Sequence, residues 1–188
     1  INDWVNINAG GDLQLNNGSS LIQINNNPNT GTMHMDRTVN IRKLDYVYWS
    51  SPVTSFSSSA ISPGTSAGYI YKWIPTIGTN VNGFGNWTFG NESMVIGKGY
   101  IVRGPNAFTS TAAPFTATFT GTPNNGVITT PILRGTWNGG TYSTGVSTTL
   151  GTNYDDNWNL VGNPYPSAVN AISFLTANTN IDGFIKIW

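Results

Sequence analysis

The chain contains no cysteine, so a disulfide framework, a thiolate nucleophile and a cysteine-bound metal are all excluded. Charge is almost as scarce. Eight Lys+Arg balance eight Asp+Glu, 9% of 188 residues, where about a quarter is usual. So few cations leave no electrostatic footprint for a nucleic acid or an anionic membrane surface. No apolar run approaches the length of a membrane span, so membrane insertion is not expected. Low Lys and Glu also argue against a typical cytoplasmic enzyme. What the chain has instead is Asn, Thr, Ser and 22 Gly, residues suited to turns, strand faces and exposed edges. Disorder is one reading of such a composition. Against it stand 12% aromatics and seven Trp, which bury far more apolar area than disordered segments offer.

A repeat organises the rest. Trp158-Asn159-Leu160-Val161-Gly162-Asn163-Pro164-Tyr165-Pro166 has a weaker copy in Tyr46-Val47-Tyr48-Trp49-Ser50-Ser51-Pro52-Val53. Each runs from an apolar strand into two small or polar residues and a proline, and each is followed by Gly-aromatic-Ile-x-x-Trp. Those returns are Gly68 to Trp73 and Gly183 to Trp188, 16 positions after Pro52 and 19 after Pro164. A duplicated β unit follows from this spacing.

Residues 1–42 carry short alternations, Leu13-x-Leu15, Leu21-Ile22-x-Ile24, Met33-x-Met35 and Val39-x-Ile41, separated by Asn/Gly/Ser corners. Strands this short cannot bury a face alone. The pattern predicts a β-solenoid-like cap or end coil over 1–42, with a pair of ordinary hairpins as the alternative. From 43 to 188 the expectation is a β-sandwich-like module of two related units, about 43–150 and 151–188. Its first aromatic strand, Leu44 to Trp49, is largely apolar on both faces, which predicts a central position. Further strands are expected at Gly68 to Trp73, Asn86 to Phe89 and Gly97 to Arg103, and loose ones around Trp137 and Tyr142. Phe115 to Thr120 reads as a hairpin with Val127 to Thr130 through Pro123-Asn124-Asn125-Gly126, since Asn-Gly tolerates positive φ. One short helix is expected, capped by Ser167 and running to about Ala177 on the stripe Ala168, Ala171, Ile172 and Leu175. The fold class is therefore all-β.

The succession LDYVYWSSPV, MVIGKGYIVRGP, FTGTPNNGVITTPI, WNLVGNPYPSAVNAISFL and IDGFIKIW resembles the C-terminal part of large secreted surface proteins of the Bacteroidetes, over about residues 11–188. Those proteins resemble one another in having a repetitive β-solenoid or adhesin-like body, this β module, and a sorting domain read by the type IX secretion system. The resemblance implies an extracellular or outer-surface location, the type IX secretion machinery as a partner, and adhesion or gliding. It brings no catalytic residue set. It also implies a further Gly-x-Gly-aromatic strand after Trp188, equivalent to Gly97 to Val102. With Ile1 not a natural start, the expectation is a piece of a longer polypeptide whose second unit is cut before its closing strand, leaving a free edge there.

Candidate chemistry is sparse. The one histidine, His34, sits in the alternating run Met33 to Asp36, where a polar outward strand position explains it better than a general base; no nucleophile-elbow sequence is present. Catalysis is therefore not expected. Asn153, Asp155, Asp156 and Asn157 place hard oxygen ligands in one turn, a pattern that suits Ca²⁺, although Asp and Asn serve turns equally well by bonding nearby backbone. No other cofactor is implied. Trp87, Trp137 and Tyr142 lie in polar, Gly-rich segments and are the candidate platform for surface glycans. Trp49, Trp73, Trp158 and Trp188 recur at matching positions of the two units and are expected in the core. The row Thr116, Thr118, Thr120 fits a flat ice-binding or self-associating face, or simply the solvated side of a half-buried strand. The favoured reading is a non-catalytic structural or adhesive segment of a secreted cell-surface protein that contacts glycans or other chains; a carbohydrate-binding module is the alternative.

Overall fold

The computed structural model describes residues 1–78, 84–134, 158–181 and 185–187. Within them the chain is strands in two sheets plus one short helix. Numbered in chain order, the strands are β1 (Leu13–Leu15), β2 (Met33–Ile41), β3 (Tyr46–Trp49), β4 (Ile70–Gly78), β5 (Phe84–Phe89), β6 (Tyr100–Arg103) and β7 (Ala113–Gly121), and the helix is α1 (Ala171–Ala177). One sheet has the order β1-β2-β7, the other β3-β6-β4-β5.

Strand alternation explains why the sheets meet. Met33 and Met35 of β2 and Ala117 and Phe119 of β7 point the same way, and they join Trp49 of β3, Ile70 of β4 and Tyr100 and Val102 of β6 in one buried cluster. Rings from both sheets touch there: Trp49 lies 6.0 Å from Phe119, and Phe56 lies 4.9 Å from Phe119. Each large side chain so buried contributes roughly 1.5–3 kcal/mol, so this shared layer outweighs any single hydrogen bond. Ile7, Leu13 and Leu15 pack against the same cluster, which draws on both sides of position 42.

The N-terminal strands pair in parallel. Leu13 to Leu15 align with Met33 to Met35, Asn6 bridges Thr30, and backbone bonds of 3.0–3.1 Å join Ile7 to Thr30 and Asn25 to Asn2. The first stretch thus lies alongside the second in the same direction. Between them sits Asn29, buried, whose amide oxygen accepts from the Val5 N–H and the Gln23 amide, each at 2.8 Å, while its nitrogen donates to Gln23 Oε1 and Pro123 O. Asparagine here does the linking that charge or disulfides do elsewhere, with every polar group satisfied.

Several expectations are corrected. Phe115 to Thr120 does not pair with Val127 to Thr130. It belongs to β7 and forms nine antiparallel pairs with β2, from Met33↔Gly121 to Ile41↔Ala113, while residues 127–130 form no strand. A nine-pair ladder with a buried face prevails over a four-residue local hairpin. The intervening turn serves as a clip. The buried Asn124 amide donates to Ser51 O at 3.3 Å and Pro164 O at 2.8 Å, its backbone N–H donates to Pro52 O at 2.9 Å, and Asn125 donates to Asn25 O and Asn27 O. The two copies of the repeated motif meet at this clip, for Gly162 packs so closely on Ser50 that any Cβ would collide with it. The second copy forms an isolated antiparallel bridge, Val161↔Lys98, rather than a long strand.

β3 is not central. Among the described residues its one strand neighbour is β6, and its outward aromatics are covered by other rings instead of a third layer. The helix starts three residues late: Asn170, not Ser167, caps it by accepting from the Ser173 N–H at 2.9 Å. The cause lies upstream, where Pro166 O accepts from the Leu21 N–H at 2.8 Å and Ser167 O accepts from Asn163, holding the backbone extended. The loose strands expected around Trp137 and Tyr142, the turn expected at Asn153 to Asn157 and the return Gly183 to Trp188 lie wholly or partly outside the described residues.

Two predictions follow from the packing. Replacing Asn124 by Ala leaves two buried carbonyls unpaired and removes the tie between the repeated motifs; a loss of about 1–3 kcal/mol is expected in denaturant unfolding. The second concerns Glu92, which pairs with Lys72 and accepts from the Tyr100 hydroxyl at 2.8 Å. Burial works to raise its pKa, but the hydrogen bonds from Lys72 and Tyr100 and the Lys72 charge prevail and hold it below the ordinary 4.5. Burial pushes the Tyr100 phenol up to about 12. A lowered carboxyl pKa contributes stability above pH 4.5 that is lost as pH falls through the folded value; a raised phenol pKa contributes stability below pH 10 that is lost as pH rises towards 12. Melting scans should show a plateau between these limits, with the acid limb shallower in Glu92→Gln.

Candidate functional site: the aromatic face of the four-stranded sheet

In the four-stranded sheet the residues facing the core are Val47 and Trp49, Tyr100 and Val102, and Ile70. Alternation therefore sends Tyr46 and Tyr48 of β3, Ile101 and Arg103 of β6, and Tyr71 and Trp73 of β4 to the opposite face, with Trp87 and Phe89 of β5 beside them in register. Six of these eight side chains are aromatic. Trp73 and Trp87 meet edge to face at 5.3 Å and 71°, and Trp87 reaches Tyr48 at 6.3 Å. Ile101 on this face is only 8% exposed.

A second group lies beside those rings. Tyr46 and Tyr71 are 6.0 Å apart, and Tyr71 and Phe89 are 5.8 Å apart and only 18° from parallel. Phe89 is 71% exposed and Tyr46 38%. Burial, then the neighbouring Tyr71 phenol, raises the Tyr46 pKa, so it is a neutral hydroxyl at physiological pH. At one end the Arg103 guanidinium sits 3.2 Å over the Tyr69 ring and donates to Asn106 at 3.0 Å.

The other sheet turns a polar ladder outward. Thr118 donates to Asp36 at 2.6 Å, Thr38 and Thr116 share a bond of 2.8 Å, and Gln14 donates to Asp36 at 3.1 Å. His34 Nδ1 is 3.0 Å from Thr120 Oγ1, and its Nε2 is 3.7 Å from Asp12. The histidine thus stands at an outward strand position. The Asp12 side chain is 69% exposed, so these groups face solvent across a strand surface. Among the described residues no three His, Asp or Glu side chains gather to hold a metal. A recess of about 240 Å³ lies between Leu21, Asn26, Asn125 and Tyr165, but Asn125 there is committed to the clip and the Tyr165 hydroxyl to Gly126 O.

A family of domains of unknown function, DUF8693, matches residues 1–188. The chain belongs to that family. Neither a curated protein nor a solved structure matches it. Family membership carries no activity here, so function is argued from the surface chemistry.

Of the residues singled out from sequence, Trp87 is half-buried and packs on Trp73 within the aromatic face. Trp137, Tyr142, Asn153, Asp155 and Asp156 lie outside the described residues. Trp49 is core as expected, whereas Trp73 is on the outer face and Trp158 is 39% exposed; Trp188 is outside the described residues. Tyr46, Tyr71 and Phe89 were missed. Their signal was present in Tyr46-Val47-Tyr48-Trp49, where aromatics on both faces suggest a central strand equally well. Removing this ring should be measurable: Trp87→Ala is expected to cost about 3 kcal/mol or less in unfolding free energy, since the indole is only half-buried, and to raise solvent quenching of the remaining tryptophan emission.

Proposed function

We propose that this domain is a non-catalytic adhesive segment of a secreted bacterial cell-surface protein, of the class exported by the type IX secretion machinery, and that it works outside the cell. The observation that carries the reading is the outer aromatic face. Rings such as Phe89 contribute nothing to the shared core yet stand in solvent beside Tyr46 and Tyr71, and an exposed aromatic cluster on a polar protein is a contact surface. The low charge and the amide clips suit a rigid display module that needs neither cofactor nor redox protection.

Two finer features of the architecture belong to the same reading. The two sheets stack as a β-sandwich around the Trp49 and Phe119 layer, and the parallel N-terminal stretch is the end coil of a β-solenoid-like stalk. Asn6↔Thr30 and Leu13↔Met33 support the latter, because stacked coils pair their strands in parallel.

Beads coated with residues 1–188 test the adhesive role. They are expected to resist flow on bacterial or host cell layers better than beads coated with an unrelated β protein of similar charge. Equal detachment of the two under all shear rates would reject it.

A further inference from the structure

Resting on the adhesive reading, we infer that the strip Tyr46, Tyr71 and Phe89 is a binding site for an uncharged polysaccharide chain laid across the sheet from β3 over β6 and β4 to β5. The strip crosses the strands in two steps of 6.0 and 5.8 Å, with Tyr71 and Phe89 near-parallel. Such a row offers apolar ring surface alternating with hydroxyl groups, matching the C–H faces and hydroxyl rims of sugar rings.

Charge decides against an ionic ligand. Arg103, opposite Tyr46 in register, lies over the Tyr69 ring and donates to Asn106, both neutral groups. Asp45, next to Tyr46 in the chain, accepts from the Arg42 N–H at 2.8 Å. The Lys72 and Glu92 charges are paired with each other. Among the described residues the charges beside the strip, Arg103 and Asp45, are of opposite sign, so neither a polyanion nor a polycation meets a surface of one sign there, whereas the phenols of Tyr46 and Tyr71 and the exposed amide of Asn91, two residues beyond Phe89, are hydrogen-bonding groups.

Size decides against a folded protein partner. Three partly exposed rings present on the order of 300 Å² of contact surface, while a stable protein interface buries about 800 Å² on each partner. A linear chain one sugar wide fits the smaller footprint. The strip lies beside the Trp73, Trp87 and Tyr48 group, whose rings pack on one another.

Native gel electrophoresis of residues 1–188 in gels containing xyloglucan, mixed-linkage β-glucan, galactomannan or dextran, with alginate as the acidic comparison, tests the inference. Retardation in at least one neutral gel is expected. Phe89→Ala should weaken it about tenfold or more without moving the melting temperature, Tyr46→Ala should weaken it comparably, and Phe89→Trp should retain it, an outcome that a purely structural role for position 89 does not produce. No retardation in any neutral gel, retardation in alginate alone, or full retention in both alanine variants would overturn the proposal. The bead assay separates the two readings: adhesion that persists without polysaccharide binding sinks this site and leaves the adhesive role standing, while polysaccharide binding without bead adhesion does the reverse.

Discussion

The Asn124 side chain, buried between two stretches more than a hundred residues apart, donates to the carbonyls of Ser51 and Pro164, and its backbone N–H donates to Pro52. Those carbonyls belong to the two copies of the same motif, each just after an apolar run turns out of line with the sheet. A proline cannot donate, and a chain bending at one leaves neighbouring carbonyls without ladder partners. One amide supplies what both copies lack. Asn125 ties the same turn to Asn25 and Asn27, and Tyr165 closes it by donating to Gly126. The N-terminal stretch and the two motif copies are thereby joined at four consecutive residues, Pro123 to Gly126.

This arrangement explains a composition so poor in charge. Buried ion pairs carry a desolvation penalty that a satisfied amide avoids, and neutral amides both donate and accept, so the Asn29 side chain links three residues and the Asn124 side chain two. The cost is geometric: each amide works only while its partners hold position, and that depends on the apolar layer formed by Trp49, Phe56 and Phe119. The polar clip and the aromatic core are therefore interdependent. The charge pair of Lys72 with Glu92 is itself embedded in hydrogen bonds through Tyr100 and the Val95 N–H.

Function, on this view, is a property of the face that the core did not need. Four strands with aromatics on alternate positions bury one set against the other sheet. The second set divides: Trp73, Trp87 and Tyr48 pack on one another, Tyr71 lies opposite Ile101, and Tyr46 and Phe89 on either side of Tyr71 are exposed. A rigid sheet holds such rings at fixed spacing, which lowers the entropic cost of binding an extended ligand.

The amino-acid sequence by itself determined the all-β class, the short helix ending at Ala177, strands within Leu44 to Trp49, Gly68 to Trp73, Asn86 to Phe89 and Gly97 to Arg103, and the outward position of His34, because two-residue alternation and turn chemistry are local properties. It also marked the two motif copies. What it could not determine was which strand pairs with which: Phe115 to Thr120 had a local partner four turn residues away, and only β2 offered a nine-residue ladder with Met33 and Met35 on the matching face. Nor could it tell a strand with aromatics on both faces because it is central from one with aromatics on both faces because its outer face is a surface. Both distinctions depend on contacts between residues far apart in the chain, whose free energy is decided when the faces meet and has no trace in local spacing.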